Sequence, residues 1–262
     1  MANEQAKAIF ITGGASGIGR AVAQRFARED WLVGLADVDA KGLKESAALL
    51  PEGCASTHVM DVRDPDGWHE ELTLFTQRTG RLDVLFNNAG IALGGPFAQT
   101  GLDDLERIIA INFTGVVLGA RIGHAFLKDT PGSCLLNTAS AAALYGTSGG
   151  AIYSATKFAV RGLTEALDGE WAADAIKVRS LMPSFIDTPL LDKSVTGSNE
   201  QVRDRVKAAG LEFTPVEEVA DTAWRAVHDN GLHHVVGKTA RRLKFASRWM
   251  PGKLRKMARR QL

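Results

Sequence analysis

A chain of 262 residues, 45% apolar and 23% charged, can bury one sizeable core and is too apolar for a disordered or fibrous protein. The net charge of +1 hides an asymmetry: residues 238–262 hold ten Lys and Arg with no acid, leaving 21 bases against 30 acids in the body. Cys54 and Cys134 lie 80 positions apart outside any C-x-x-C pair, which argues against a disulfide framework and against a metal site. The four-residue apolar run before the first glycines is too short for a secretory leader, and no later segment is expected to reach membrane-spanning length. A cytoplasmic protein is therefore expected.

In chain order, residues 7–12 (KAIFIT) form a short apolar strand that runs into Gly13-Gly14-Ala15-Ser16-Gly17-Ile18-Gly19, and the apolar spacing of the next eleven residues predicts a helix. Strand, glycine turn and helix together suit a pyrophosphate, because glycines let the backbone approach it and the helix start offers free N–H groups and a favourable dipole. A second strand at 31–36 ends in Asp37, eighteen residues after Gly19, where a carboxylate can accept both hydroxyls of an adenosine ribose. That charge disfavours a 2′-phosphate, and no basic residue follows until Lys41, so NAD is expected over NADP. Asp37 could instead simply cap the loop toward Ala40.

A helix at 41–50, a strand at 55–60 ending in Asp61-Val62, a helix at 67–79 and a strand at 83–86 continue the alternation that implies a parallel sheet. Asn87-Asn88-Ala89-Gly90 follows, small and polar where the carboxyl edge of such a sheet meets a ligand. Residues 103–127 read as one long helix with Asn112 among apolar neighbours. That amide is either a satisfied core group or part of a polar site. The strand at 133–139 delivers Ser140, a helix runs from Tyr153 through 170, and the strand at 176–182 ends on 183–189. Residues 187–213 show no clean period and read as a lid. Thr214-Pro215-Val216-Glu217 reads as a capping box with Pro at the first helical position, and 234–236 as the last strand.

Tyr153 and Lys157, four apart on a helix, put a cation beside a phenol. Bringing a phenol from about 10 to about 7 requires roughly 4 kcal/mol from such a neighbour. Ser154-Ala155-Thr156-Lys157 also spells S-x-x-K, the nucleophile pattern of penicillin-binding hydrolases. Their S-D-N is missing, however, and only Lys238-Thr239-Ala240 approximates K-T-G.

Taken together, the motifs resemble the short-chain dehydrogenase/reductase family over roughly residues 7–237: T-G-x-x-x-G-x-G at Thr12 to Gly19, Asp37, Asp61-Val62, N-N-A-G at 87–90, Asn112, Ser140 and Y-x-x-x-K at 153–157. The resemblance implies a single α/β domain, a Rossmann-type doubly wound sheet of seven parallel strands, followed by a basic tail at 238–262. It also implies an NAD(P)(H) cofactor and a homotetramer or homodimer. By the same resemblance, Tyr153 is the general acid/base, Lys157 lowers its pKa and binds the nicotinamide ribose, Ser140 bonds the substrate oxygen, and Asn112 supports a water relay to Lys157. Gly13, Ser16, Gly17, Ile18 and Gly19 would cradle the pyrophosphate, and Asp61 and Val62 the adenine. Asn88, Ala89 and Gly90 would line the ribose side, and Pro183, Ile186 and Thr188 the carboxamide end. The family usually has Gly after the proline, so Ser184 is expected to put a side chain near the nicotinamide. A cofactor-binding regulator without catalysis is the competing reading, disfavoured by the intact set of Asn112, Ser140, Tyr153 and Lys157.

Candidate pocket residues Leu93, Ala142, Leu144, Tyr145, Phe185, Leu190 and Leu191 include no Arg or Lys, which points to an uncharged hydrophobic secondary alcohol or ketone. Some of them could equally pack beneath the lid. The tail interleaves Leu243, Phe245, Trp249, Met250, Leu254 and Met257 with its bases and breaks at Pro251-Gly252, which predicts two short basic amphipathic helices. These either pack on the acidic body of this or a neighbouring subunit or lie on an anionic bilayer. No nucleic-acid motif accompanies the charge.

Overall fold

The computed structural model describes residues 6–192, 201–208 and 210–259. Seven parallel strands form one sheet in the order β3-β2-β1-β4-β5-β6-β7: β1 (Ala8–Thr12), β2 (Leu32–Asp37), β3 (Ala55–Val59), β4 (Val84–Asn87), β5 (Cys134–Thr138), β6 (Lys177–Pro183) and β7 (His233–Val236). Every residue of β1, β4 and β5 is buried, as in a sheet covered on both faces. Successive side chains alternate between those faces. Ile9, Ile11, Val33, Leu35 and Phe86 pack with Val22 and Phe26 of α1 (Gly17–Ala27), Leu43 of α2 (Ala40–Ala47) and Val219 and Ala223 of α8 (Val216–His228). Ala8, Phe10, Leu85 and Leu135 pack on the other side with Trp68, Leu72 and Phe75 of α3 (Pro65–Thr79) and with Ala120 and Leu127 of α5 (Gly115–Lys128). Strand order reverses at β1 and β4, so the crevice beyond their carboxyl ends is where such a sheet receives a ligand.

The doubly wound parallel sheet is the fold expected from the sequence, with local corrections. The helix expected at 41–50 spans Ala40–Ala47, because the Asp39 carboxylate caps it by accepting from Lys41 N and Gly42 N. The helix expected at 67–79 begins at Pro65, capped by Asp64. The long helix expected at 103–127 is α4 (Leu102–Ile109) and α5 separated by a π turn, Ala110–Thr114, that contains Asn112. This 102–128 run is also apolar and long enough by composition to cross a bilayer, contrary to expectation, although Ile108, Val116, Ala120 and Leu127 bury its inner side in the protein. The capping box is not formed. Pro215 occupies the cap position of α8, and Thr214 Oγ1 is buried without a partner, because Thr214 joins Ile186 in a parallel bridge instead.

Within the segment expected to be an irregular lid, a 3-10 turn at Pro189–Asp192 and α7 (Val202–Ala208) are present, while 193–200 and 209 lie outside the described residues. Arg203 ties the two parts together by ion pairs of 2.6 Å to both Asp187 and Asp192. The tail forms the two expected helices, α9 (Lys238–Trp249) and α10 (Pro251–Ala258).

Candidate active site

The glycine turn between β1 and α1 owes its shape to Gly13 and Gly17, at φ +68° and +52°, where a side chain would strain the backbone. A Cβ on Gly19 would collide with Gly13 O, so α1 can start this close to the turn only with glycine there. Ser16 is the extended cap residue and makes no side-chain capping bond, leaving the N–H groups at the start of α1 directed outward beside exposed Ser16 and half-buried Ile18. An anionic group fits this cradle. Asp37, at the end of β2, accepts from Ala15 N at 3.2 Å and from Asp39 N at 3.1 Å, one bond per oxygen. Each oxygen therefore keeps a lone pair for a ligand hydroxyl. Asp37 thus also caps the loop toward Ala40 through Asp39 N, while Asp39 caps α2 itself. Arg20, which sequence reasoning passed over, is bound to Ala15 O, Ser46 Oγ and Glu45.

Asp61 and Val62 lie at the end of β3, as placed, but the Asp61 carboxylate is gripped by Arg63 through its backbone N–H and its guanidinium, which holds the acid below its ordinary pKa. Val62 O accepts from Trp68 Nε1 at 2.9 Å.

The N-N-A-G loop is latched to the glycine turn by Thr12, a residue that entered the sequence reading only as the first letter of a motif. Its Oγ1 accepts from Asn88 N and Ala89 N at 3.0 and 3.1 Å, while Asn88 Nδ2 donates to Thr12 O at 3.0 Å. Thr138 Oγ1 donates to Asn88 Oδ1 at 3.2 Å, so the ends of β1, β4 and β5 are fastened together. Asn112 is completely buried, and both ends of its amide are used by one residue: Oδ1 accepts from Ile91 N at 2.8 Å and Nδ2 donates to Ile91 O at 2.9 Å. A Cβ on Gly90 would lie 3.3 Å from Asn112 Oδ1 and 3.7 Å from Lys157 Nζ, so these three positions converge.

Ser140 follows β5, and Tyr153 and Lys157 lie on the first turns of α6 (Ala151–Glu170). Ser140 Oγ accepts from Ala142 N at 3.1 Å and also hydrogen-bonds the Tyr153 hydroxyl. Lys157, 4% exposed, donates to Thr138 O at 2.8 Å, and its Nζ lies 5.8 Å from the centre of the Tyr153 ring. Burial lowers the Lys157 ammonium from 10.5 to about 8. Burial raises the part-buried Tyr153 phenol, and the Ser140 bond draws it partly back. The lowering expected from Lys157 is not among the causes of this shift; its ammonium is bonded to Thr138 O instead. The three side chains lie together at the carboxyl edge of the sheet.

Beyond β6, Thr188 reaches across to the glycine turn, where a Cβ on Gly17 would meet its methyl at 3.3 Å, and Ile186 is buried. Pro183 O is 3.5 Å from Ser140 Oγ. The Ser184 Oγ, expected near the nicotinamide, lies against Gly237 just beyond β7, buried without a partner. Of the pocket candidates, Leu93, Ala142, Leu144, Tyr145, Phe185 and Leu190 are half-buried and Leu191 is buried. A concavity of about 350 Å³ lined by Arg225, His233, His234 and Lys244 lies at the other end of β7 and shares no residue with this group.

Residues 7–199 match the short chain dehydrogenase family model. The chain belongs to the short-chain dehydrogenase family. It is an oxidoreductase of the Rossmann fold whose glycine turn suits the family's nicotinamide dinucleotides. Among curated short-chain dehydrogenases, it is 34% identical to meso-2,3-butanediol dehydrogenase of Serratia marcescens over 226 residues, 85% of this chain and 88% of that one. It is also 34% identical to 3-alpha-(or 20-beta)-hydroxysteroid dehydrogenase of Mycobacterium bovis over 186 residues, 71% of each chain. Among solved short-chain dehydrogenase structures, 3-ketoacyl-(acyl-carrier-protein) reductase from Brucella melitensis complexed with NADH superposes with a TM-score of 0.77 at 27% identity. That match covers 88% of this chain and 96% of the other.

Proposed function

We propose that this protein is an NAD-dependent oxidoreductase that interconverts a secondary alcohol and a ketone, with Tyr153 as the group that moves the proton. The observation carrying this reading is the convergence of Ser140, Tyr153 and Lys157 beside Gly90 and Asn112, next to the glycine turn. A nicotinamide cofactor, held by the glycine turn and Asp37, would supply or accept the hydride. Tyr153 raised above its ordinary value holds its proton at neutral pH, ready to give it to the oxygen of a ketone being reduced. In the oxidising direction the same oxygen must first lose that proton, so alcohol oxidation is expected to accelerate with pH. The Ser140 hydroxyl orients the substrate oxygen toward Tyr153. Lys157, seated on Thr138 O, lies where a ribose hydroxyl can share its remaining N–H groups. Asn112 acts as a positioning residue, holding Ile91 and with it the adjoining Gly90.

The preference for NAD rests on Asp37, whose fixed carboxylate offers lone pairs to two ribose hydroxyls and repels a phosphate. The apolar candidates Leu93, Leu144, Tyr145, Phe185 and Leu190 favour an uncharged hydrophobic substrate. The named activities of the butanediol and hydroxysteroid relatives are compatible with secondary alcohol chemistry.

A panel of secondary alcohols with NAD and with NADP, followed by nicotinamide absorbance, tests cofactor, direction and pocket together. Tyr153→Phe should bind NADH like the parent and lose turnover by a factor of about 10² to 10⁴. Equal turnover by that variant would remove Tyr153 from the mechanism.

A further inference from the structure

The tail helices are docked at both ends. Glu212 Oε1 accepts from Lys238 N and from Thr239 N, satisfying the start of α9, and at the far end Ser148 Oγ donates to Ala258 O at 3.1 Å. Ala240 faces the body and is fully buried, with Leu243 half-buried near it. Successive helical residues turn by about 100°, which puts Phe245 and Trp249 on the opposite side of α9. They are 59% and 65% exposed. Arg242 shares that outward side, and Met257 of α10 is also exposed. The tail therefore has two apolar faces, one used by the body and one open and surrounded by cations.

We propose that this outward face docks the protein on an anionic lipid surface. The chemistry of the face selects that occupant. Ten Lys and Arg with no acid across 238–262 complement a negatively charged headgroup layer. Phe245 and Trp249 are the side-chain types that settle at the boundary between headgroups and acyl chains. A symmetric contact with a second copy through the same face would press Arg242 and the other cations around Phe245 and Trp249 against their own copies. Helices of 12 and 8 residues, about 18 and 12 Å long, cannot span a hydrocarbon core of about 30 Å, so they lie in its surface plane. Because α10 ends on Ser148, in the loop just ahead of the Tyr153 helix, a bilayer held by the tail lies beside the approach to the candidate site. The docking goes beyond the oxidoreductase reading and is independent of it.

Cosedimentation with vesicles tests the proposal on the full chain. Vesicles of phosphatidylcholine with about 30% phosphatidylglycerol are compared with phosphatidylcholine alone, at about 0.05 M and about 0.5 M salt. The parent should partition at least tenfold more strongly onto the anionic vesicles at low salt than under either other condition. Phe245→Ser with Trp249→Ser, which keeps every charge, should lose at least tenfold in binding while its urea midpoint stays at the parent value. Tyr153→Phe should bind vesicles as the parent does, so a failure of catalysis and a failure of docking read out separately. The proposal is overturned if the parent shows no preference for anionic vesicles, or if the double variant binds them as well as the parent. It is also overturned if sedimentation velocity shows the double variant falling apart from a larger parent assembly, which would make the aromatics a subunit contact.

Discussion

Replacing Lys157 by Met removes an ammonium that is 4% exposed and hydrogen-bonded to Thr138 O, while preserving most of the side chain's length. In the folded protein burial lowers this group from 10.5 to about 8. Below the lower value both folded and unfolded chains bind the proton, and the native state carries the full cost of a buried charge. Between the two values the folded chain has released the proton and the unfolded chain has not, so parent stability must rise with pH across that window. At about 1.4 kcal/mol per pH unit the whole interval is worth about 3 kcal/mol, most of it gained by about pH 10. The Met variant lacks the group and should show none of this rise. Urea midpoints of parent and variant at several values from pH 7 to 10 isolate the effect, because other titrating groups cancel in the difference. A parent-minus-variant stability that stays flat across that range would refute the reasoning, and with it the buried, partly neutralised state assigned to Lys157.

Ser140→Ala removes the hydrogen bond that draws the Tyr153 phenol down, so the pH at which alcohol oxidation reaches its plateau should move upward and turnover should fall about 10²-fold. A pH–rate profile that keeps its midpoint would count against that bond. Asp37→Ser should raise the rate with NADP relative to NAD by at least tenfold, about 1.4 kcal/mol, measured on one alcohol with both cofactors. Asn112→Leu leaves Ile91 N–H and C=O without their partner and should cost about 2 kcal/mol in urea unfolding, with a weaker affinity for NADH.

The parts legible in the sequence are those whose cause is local. Apolar runs such as AIFIT and CLLNT are strands because nothing else buries them on two faces, and the glycines at 13, 17 and 19 mark a turn that side chains would block. What escaped depends on partners far along the chain. Asn112 was visible as a costly amide, but the π turn around it and its pairing with Ile91, 21 positions away, were not. Thr214 looked like a cap because its own neighbours fit the pattern, whereas the bridge to Ile186 decides its geometry. Glu212 carried no signal as the cap of α9, 26 residues later. Tyr153 and Lys157 were correctly placed on one helix. Which acceptor the ammonium chose, however, depended on the carbonyl at the end of β5.

The π turn at Ala110–Thr114 holds one residue more than an α turn would. Below it Ile108 faces the core, and above it Val116, Ala120 and Leu127 do the same. At about 100° per residue, eight α-helical steps from Ile108 to Val116 would leave the two about 80° apart, whereas seven bring them to one face, so the extra residue is absorbed in the turn. Deleting one residue from 110–114 would restore a straight α-helix with its core register kept, whereas inserting another would turn Val116 and Ala120 away from the core. What the deletion would disturb is the seat of Asn112, whose amide holds Ile91. The wall survives a shortening that the site beside it does not.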